Sequence, residues 1–222
     1  MGQATTLKPG QIRHLLRVTN GTSRYPERDC LILLLGITCG MRITEISLLE
    51  IGDIMFASGA LRTEVSLRAA TTKGCRQRCV YLTHRQTITA LERYLAYRTE
   101  RGLGTELTTD KYRGLSPQTK LILKQSGGSF CQNTKRRVNF GGERIDYTAA
   151  DSLQGYVTRL FLKAGTRGRS HSGRRTMASN LLAQGTDIES VQQLLGHQTI
   201  ECLRPYLEVD PKKLREMFSV VL

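Results

Sequence analysis

Four polar residues towards the C-terminus have the types and the spacing to surround one phosphate group. His171 and Arg174 are three residues apart, so they share one face if their segment is helical. His197 follows Gly196 in a Leu-Leu-Gly-His string, and Tyr206 comes nine residues later. Each feature alone is typical of a solvated pair, a glycine helix cap or a packed tyrosine. As an ordered set, they indicate a phosphate site.

Two predicted helices carry this set. The first has Ser170 as its predicted N-cap residue, bears an apolar repeat at helical spacing and ends at Gly185. The second is marked by the apolar repeat of Ile188, Val191, Leu194 and Leu195. A helix, a turn and a second helix are therefore expected to bring the polar residues together.

Two further cations lie upstream. Arg42 begins a predicted helix whose apolar positions face inward. A charged residue is rare at the start of such a buried helix unless it has a functional role. A salt bridge to Glu45, three residues later, is the plain alternative for Arg42. Lys73 lies at or near the tip of a predicted β-hairpin between the β-rich runs 60–68 and 78–82. Its plain alternative is a solvated turn lysine.

In this order, the residues resemble the tyrosine recombinase (phage integrase) family. The matching strings are Gly40-Met-Arg-Ile-Thr-Glu-Ile46, the pair Leu49 and Asp53, His171-Ser-Gly-Arg174, Leu195-Gly-His197 and Tyr206. The resemblance extends roughly from Thr6 to the C-terminus. It implies six catalytic residues, which are Arg42, Lys73, His171, Arg174, His197 and Tyr206.

The resemblance also implies a role for each residue. Arg42 and Arg174 would neutralise the phosphate oxygens, because a guanidinium fork matches phosphate geometry. Tyr206 would attack the phosphorus and form a 3′-phosphotyrosyl intermediate, and Lys73 would protonate the leaving 5′ oxygen. The two histidines would move a proton or bond the phosphate. This chemistry requires no metal and no other cofactor, so none is expected.

One residue departs from the family pattern. Gly173 stands where the family usually has a leucine between the histidine and the arginine. A glycine near a helix start costs up to about 1 kcal/mol relative to alanine. Looser packing around His171 and Arg174 is therefore expected.

The composition favours a polyanionic partner. The chain has 33 Lys and Arg against 19 Asp and Glu, a formal net charge of +14 and a pI of about 9.9. Double-stranded DNA is the expected partner. A basic membrane-surface protein is the rival, but the sequence shows neither a bilayer-spanning apolar run nor a basic amphipathic helix with an aromatic apolar face. The candidate DNA-contacting residues are Arg76, Arg78, Lys135, Arg136, Arg137, Arg167, Arg169 and Arg175.

The cysteines indicate a reducing compartment. Six cysteines are scattered through a chain without a secretory signal, so free thiols and a cytoplasmic, nucleoid-associated location are expected. Cys75 and Cys79 have the spacing of half a zinc ligand set, but no second pair completes it. No metal site is predicted.

The predicted fold class is mainly α with a small antiparallel β-sheet (α+β), the family's catalytic-domain fold, over residues 1–222. The family's N-terminal core-binding domain has no counterpart before Thr6, so a catalytic fragment or a compact invertase-like member is expected. Residues 102–150 are predicted to form a mobile loop region that orders on DNA. The tail, 211–222, has an apolar stripe that either folds back or docks in trans on another protomer.

Three functions compete. The leading interpretation is a site-specific DNA recombinase of the integrase or invertase type, self-associating as a dimer on a site and a tetramer in synapsis, with accessory DNA-bending proteins. A type IB topoisomerase-like or telomere-resolving enzyme shares the same residues. A non-catalytic DNA-binding regulator, reading DNA through the helix-turn-helix pattern at 173–195, is the alternative from another class. Covalent protein–DNA adducts separate the enzymes from the regulator.

Overall fold

Helices dominate the structure, a computed structural model that describes residues 5–67, 78–107, 110–138 and 142–196. The helices are α1 (Pro9–Thr22), α2 (Pro26–Thr38), α3 (Ile43–Leu48), α4 (Ile51–Ile54), α5 (Arg85–Glu100), α6 (Asp151–Lys163), α7 (Ser172–Ala183) and α8 (Ile188–Leu195). The strands are β1 (Glu64–Leu67), β2 (Arg78–Tyr81), β3 (Asn133–Val138) and β4 (Arg144–Ala149), and a 3-10 turn spans Tyr112–Gly114. The predicted class, mainly α with small antiparallel sheets, is confirmed.

Helix α2 lies at the centre of the core. It packs against α1, α5 and α7, and Leu31, Leu33 and Leu35 are all buried although they point in different directions. A segment that is apolar on every side must be covered on every side, and the apolar run 30–38 of α2 is covered in this way. Among the residues that the structure describes, no helix is both long and apolar enough to cross a membrane.

Helices α2 and α7 approach each other closely at two glycines. A Cβ atom added to Gly173 would lie 2.8 Å from the backbone carbon of Gly36 and 3.0 Å from the backbone nitrogen of Ile37. The expectation that Gly173 loosens the packing is therefore wrong. The glycine lets the backbone of α7 rest directly on α2, one residue before Arg174.

The first hairpin is the one predicted from the sequence. Strands β1 and β2 pair in antiparallel register, with Glu64 opposite Tyr81 and Leu67 opposite Arg78. Their connection, residues 68–77, contains Lys73 and lies outside the described residues.

The second hairpin lies where the sequence predicts a loop region. Residues 102–150 were expected to be a mobile loop region, but 133–138 and 144–149 form the antiparallel pair β3–β4. The preceding chain is also built into the core: Leu121 and Ile122 are fully buried, and the buried guanidinium of Arg98 donates to the Leu121 carbonyl at 3.1 Å. Charged residues on β3 and β4 concealed the strand pattern.

Substitution of Gly173 by alanine should destabilise the protein. The added methyl group meets backbone atoms that cannot move aside, and overpacking of this kind costs about 1–3 kcal/mol. Urea unfolding followed by circular dichroism measures the change. Gly155→Ala in α6 is the matched control, because its Cβ would meet only the Arg159 side chain at 3.9 Å. We expect the control to be neutral or stabilising by up to about 1 kcal/mol, and equal losses in both variants would contradict the packing argument.

Candidate active site

The site begins at the start of α3, where one carboxylate faces an arginine. Arg42 is the N-cap residue of α3, and Glu45 is the third residue of the helix. The Glu45 carboxylate accepts a hydrogen bond from the Arg42 backbone N–H at 2.7 Å and another from Arg42 Nη1 at 2.7 Å. The salt bridge that the sequence left as the plain alternative for Arg42 is therefore present. The Glu45 carboxylate also has a second arginine partner.

A second arginine reaches the same carboxylate from the first residue of β2. Arg78 Nε lies 3.2 Å from Oε1 of Glu45, and Arg78 Nη2 lies 2.5 Å from Oε2. Its Nη1 donates to the Leu194 carbonyl at 2.7 Å, and its Nη2 to the Gly40 carbonyl at 3.4 Å. The sequence predicts a DNA contact for Arg78, but its side chain is buried with only 4% exposed. Its position favours an organising role.

A third arginine completes the group. Arg174 is buried and donates from Nη1 to the Gly40 carbonyl at 2.6 Å and from Nη2 to the Leu195 carbonyl. Arg42 Nη2 makes longer contacts, 3.5 Å to the same Leu195 oxygen and 3.4 Å to the Gly196 oxygen. Arg42 and Arg174, far apart in sequence, thus converge on one point of the backbone. We call Arg42, Arg78, Arg174 and Glu45 the arginine cluster.

The point of convergence is the C-terminal end of α8. The last carbonyl groups of a helix lack partners within the helix and carry the negative end of its dipole. The three guanidinium groups satisfy the carbonyls of Leu194, Leu195 and Gly196. The cluster therefore fixes the place at which the Leu-Gly-His string leaves α8.

Two glycines permit this convergence. Gly40 and Gly196 both have a φ of 61°, in the left-handed region that favours glycine. A Cβ atom on Gly40 would lie 2.5 Å from Met177 Sδ, and one on Gly196 would lie 2.9 Å from Arg78 Cδ. A side chain at Gly40 would press on Met177 of α7 and Leu195 of α8, and a side chain at Gly196 would displace the side chain of Arg78.

The charges of the cluster do not cancel. Burial by itself raises the pKa of Glu45, but the hydrogen bond from Arg78 and the charges of Arg78, Arg42 and Arg174 outweigh burial and hold that pKa below its ordinary value of 4.5. Glu45 is thus ionised at neutral pH, and one negative charge faces three positive ones. The excess favours an incoming anion, and Arg42 is the most accessible of the three arginines with 17% of its side chain exposed.

His171 lies at the start of α7. It is exposed and is the N-cap residue, so the cap lies one residue later than the predicted cap at Ser170. The turn before it is held by a 2.9 Å hydrogen bond from the Arg169 N–H to Ser172 Oγ. His171 is therefore exposed at a helix N-terminus, where the dipole favours anions, while Arg174 is buried one turn later.

The remaining predicted residues are distributed over several parts of the chain. Four of them, and the tail 211–222, lie outside the described residues: Lys73, Arg76, His197 and Tyr206. Three lie on β3, namely Lys135, Arg136 and Arg137. Three lie near His171, with Arg167 and Arg169 exposed and Arg175 half-buried on α7.

Sequence reasoning missed the central role of Glu45. A glutamate three residues after an arginine is ordinarily a surface ion pair, and only the apolar residues on both sides of it hinted at burial. Within the described part of the chain, no group of three or more His, Cys, Asp or Glu residues is placed to hold a metal ion. The described cysteines, which are Cys30, Cys39, Cys79 and Cys131, are free thiols.

Comparison with known proteins identifies the family of the chain. Residues 5–213 match the sequence model of the phage integrase family. The chain belongs to the phage integrase family. The tyrosine recombinase XerC of Myxococcus xanthus is 30% identical over 194 residues, which cover 86% of this chain and 54% of that protein. The chain spans about half the length of the curated relatives it matches.

Solved structures show the same fold. The XerA recombinase superposes with a TM-score of 0.66 at 20% identity, over 99% of this chain and 65% of that one. The XerH site-specific recombinase, in a post-cleavage complex with a palindromic difH substrate, gives a TM-score of 0.65 at 21% identity, over 99% of this chain and 54% of that one.

Replacing Glu45 by glutamine should strongly destabilise this phage integrase family member. The change leaves three buried or half-buried guanidiniums without their counter-ion, and breaking such a pair costs about 3–5 kcal/mol in the free energy of unfolding. Because the pKa of Glu45 is lowered in the folded state, its contribution is fully present above pH 4.5 and is lost as the pH falls through the lower folded pKa. The difference in the free energy of unfolding between the wild type and E45Q should therefore shrink at acidic pH.

Glu92→Gln is the control for that measurement. Glu92 pairs with Arg113, but both side chains are well exposed, at 43% and 39%. Exposed pairs contribute about 0–1 kcal/mol, so this variant should unfold almost as the wild type does at every pH. A stability of E45Q equal to that of E92Q would show that the arginine cluster does not depend on its carboxylate.

Proposed function

We propose that the chain cleaves and rejoins double-stranded DNA as a site-specific recombinase through a 3′-phosphotyrosyl intermediate. The observation that carries the proposal is the convergence of Arg42 and Arg174 on the Leu195 carbonyl. Both arginines stand in family motifs, and the carbonyl directly precedes Gly196 and His197. Two guanidiniums are thereby held beside the segment that leads to Tyr206.

The arginines address the main obstacle to the reaction. A phosphodiester repels nucleophiles because its non-bridging oxygens are negative, and a guanidinium offers donors in a fork that matches those oxygens. Arg42 and Arg174 would bind them, while Glu45 holds Arg42 and the Gly40 and Leu195 carbonyls hold Arg174. Loss of one preorganised donor of this kind costs about 3 kcal/mol of transition-state stabilisation.

The covalent step is a balanced exchange of esters. The Tyr206 oxygen forms a bond to phosphorus, and the bond from phosphorus to the 5′ oxygen breaks. The Tyr206 proton passes to a base, for which His171 is the candidate, and Lys73 supplies a proton to the leaving 5′ oxygen. A DNA 5′-hydroxyl later reverses the exchange, because an aryl phosphate with a leaving-group pKa of about 10 retains the energy of the bond. His197 would donate to a non-bridging oxygen.

The proposed partner is double-stranded DNA. The net charge of +14 favours a polyanion, and the XerH structure is that of a recombinase bound to its DNA substrate. Self-association on DNA, as a dimer on a site and a tetramer in synapsis, belongs to the same proposal, as do accessory DNA-bending proteins.

The proposal predicts that Tyr206→Phe abolishes covalent adducts with DNA. The measurement uses duplexes with a single nick and randomised flanking sequence, so that cleavage releases a short strand and traps the protein on the DNA. Denaturing gels reveal the adduct, and mass spectrometry of the digested adduct should place it on Tyr206. Phenylalanine lacks the attacking oxygen, so the expected loss is complete.

Tyr97→Phe is the control for this experiment. Tyr97 is half-buried on α5 and stacked on Tyr94 at a centroid distance of 6.3 Å, so the phenylalanine ring keeps its packing. Its adduct yield should equal that of the wild type. An adduct that persists in Y206F contradicts the assignment of the nucleophile, and the absence of any wild-type adduct would favour a non-catalytic DNA-binding regulator. Relaxation of supercoiled plasmid without strand exchange would favour a topoisomerase.

A further inference from the structure

The β3–β4 hairpin is the most exposed ordered element among the described residues. From Asn133 to Thr148, every side chain that the structure describes is exposed except Tyr147, which is half-buried. The two strands and their connection contain four basic residues, which are Lys135, Arg136, Arg137 and Arg144, against two acidic ones, Glu143 and Asp146. None of the roles proposed above for the arginine cluster uses this element.

The two faces of the hairpin differ. Asn133 and Lys135 both bond to Asp151 at the start of α6, at 3.0 Å and 2.7 Å, so their face is turned towards the body of the protein. Since side chains alternate along a strand, the other face consists of the cross-strand pairs Thr134 with Thr148, Arg136 with Asp146, and Val138 with Arg144. We call this second set the outer face.

The base of the hairpin is fixed to the candidate active site. Gln132 Nε2, one residue before β3, donates to Ser47 Oγ at 2.9 Å. Ser47 is buried on α3, the helix that also carries Glu45. A ligand on the hairpin would therefore be held in a defined position relative to the arginine cluster.

The outer face has the chemistry of base recognition more than of phosphate binding. Asp146 holds Arg136 in a two-point contact, Nε to Oδ1 at 2.7 Å and Nη2 to Oδ2 at 3.2 Å. A guanidinium held in this way still offers donors from Nη1, and its orientation is fixed before it meets a ligand. The carboxylate would repel the full negative charge of a phosphate more strongly than the uncharged acceptor atoms of a guanine edge. Beside the pair, Val138 is 62% exposed and suits a thymine methyl group.

We propose that the β3–β4 hairpin enters the major groove of double-stranded DNA and reads base edges through its outer face. Each strand has six residues and is therefore about 20 Å long, and the major groove is about 12 Å wide and about 8.5 Å deep and admits a two-stranded ribbon. Arg136 and Arg144 are the specificity-determining residues. The inference rests on the proposed function, since it assigns part of the choice of DNA site to this element.

A second copy of the chain is the competing occupant, because exposed strand edges can pair with each other. Charged residues along both strands oppose such pairing, as they do on other protected sheet edges. The excess of basic residues favours DNA.

The test is selection of binding sites from a library of randomised duplexes. Each duplex is about 30 base pairs long, so that a whole site fits. The full chain is compared with the double variant Arg136→Lys, Arg144→Lys, which keeps the charge and removes the guanidinium forks. We expect the variant to lose roughly 5- to 150-fold of preference at the base pairs that the wild type selects, with non-selected DNA bound about equally well. The control is Arg13→Lys with Arg17→Lys, two exposed arginines of α1, which should select the wild-type sequence.

Asp146→Asn sharpens the test. It adds positive charge but releases Arg136, so base reading predicts weaker sequence preference, whereas a phosphate contact predicts only tighter binding. Recovery of the wild-type sequence by both hairpin variants would overturn the proposal. So would sedimentation without DNA that shows a dimer abolished by the double variant. Selection does not require cleavage, so the hairpin can fail this test while Tyr206 adducts still form, and the reverse also holds.

Discussion

The site depends on one buried carboxylate. Glu45 is fully enclosed and accepts hydrogen bonds from Arg42 and Arg78, and its charge also acts on Arg174. Taking guanidiniums out of water is costly unless their donors are satisfied and their charge is partly balanced. Glu45 and the backbone carbonyls at Gly40 and the end of α8 together meet that requirement. The cluster still keeps an excess of positive charge, which a phosphate can use.

Close backbone contacts turn this electrostatic arrangement into a rigid one. Gly173 lets α7 rest on α2, Gly40 lets its loop approach α7 and α8, and Gly196 leaves room for Arg78 at the end of α8. Three distant parts of the sequence, α3, β2 and the consecutive helices α7 and α8, therefore meet at one point. A hydrogen-bonded guanidinium cannot shift without disturbing more than one of them, so the donors are in position before any substrate arrives.

The sequence motifs singled out Arg42 and Arg174, which the structure brings together at the end of α8, while their catalytic roles stay predictions. Arg42 and Arg174 were identified from their neighbours, and most helices followed from apolar periodicity. Arg78 was misplaced because a basic residue at the start of a strand carries no local sign of burial. The β3–β4 hairpin was missed because its charged residues match each other across the strands, as Arg136 does Asp146, and this pairing becomes visible only once the register is known. Gly173 was expected to loosen the packing, because the sequence does not show that it contacts Gly36 on another helix.

The most direct test of the central claim is an experimental structure of the chain bound to a nicked duplex that traps the cleaved state. The account predicts one phosphate within about 3.2 Å of guanidinium nitrogens from both Arg42 and Arg174, joined to the Tyr206 oxygen, with Glu45 still bonded to Arg78. A phosphate held by only one of the two arginines, or bound away from the end of α8, would contradict it.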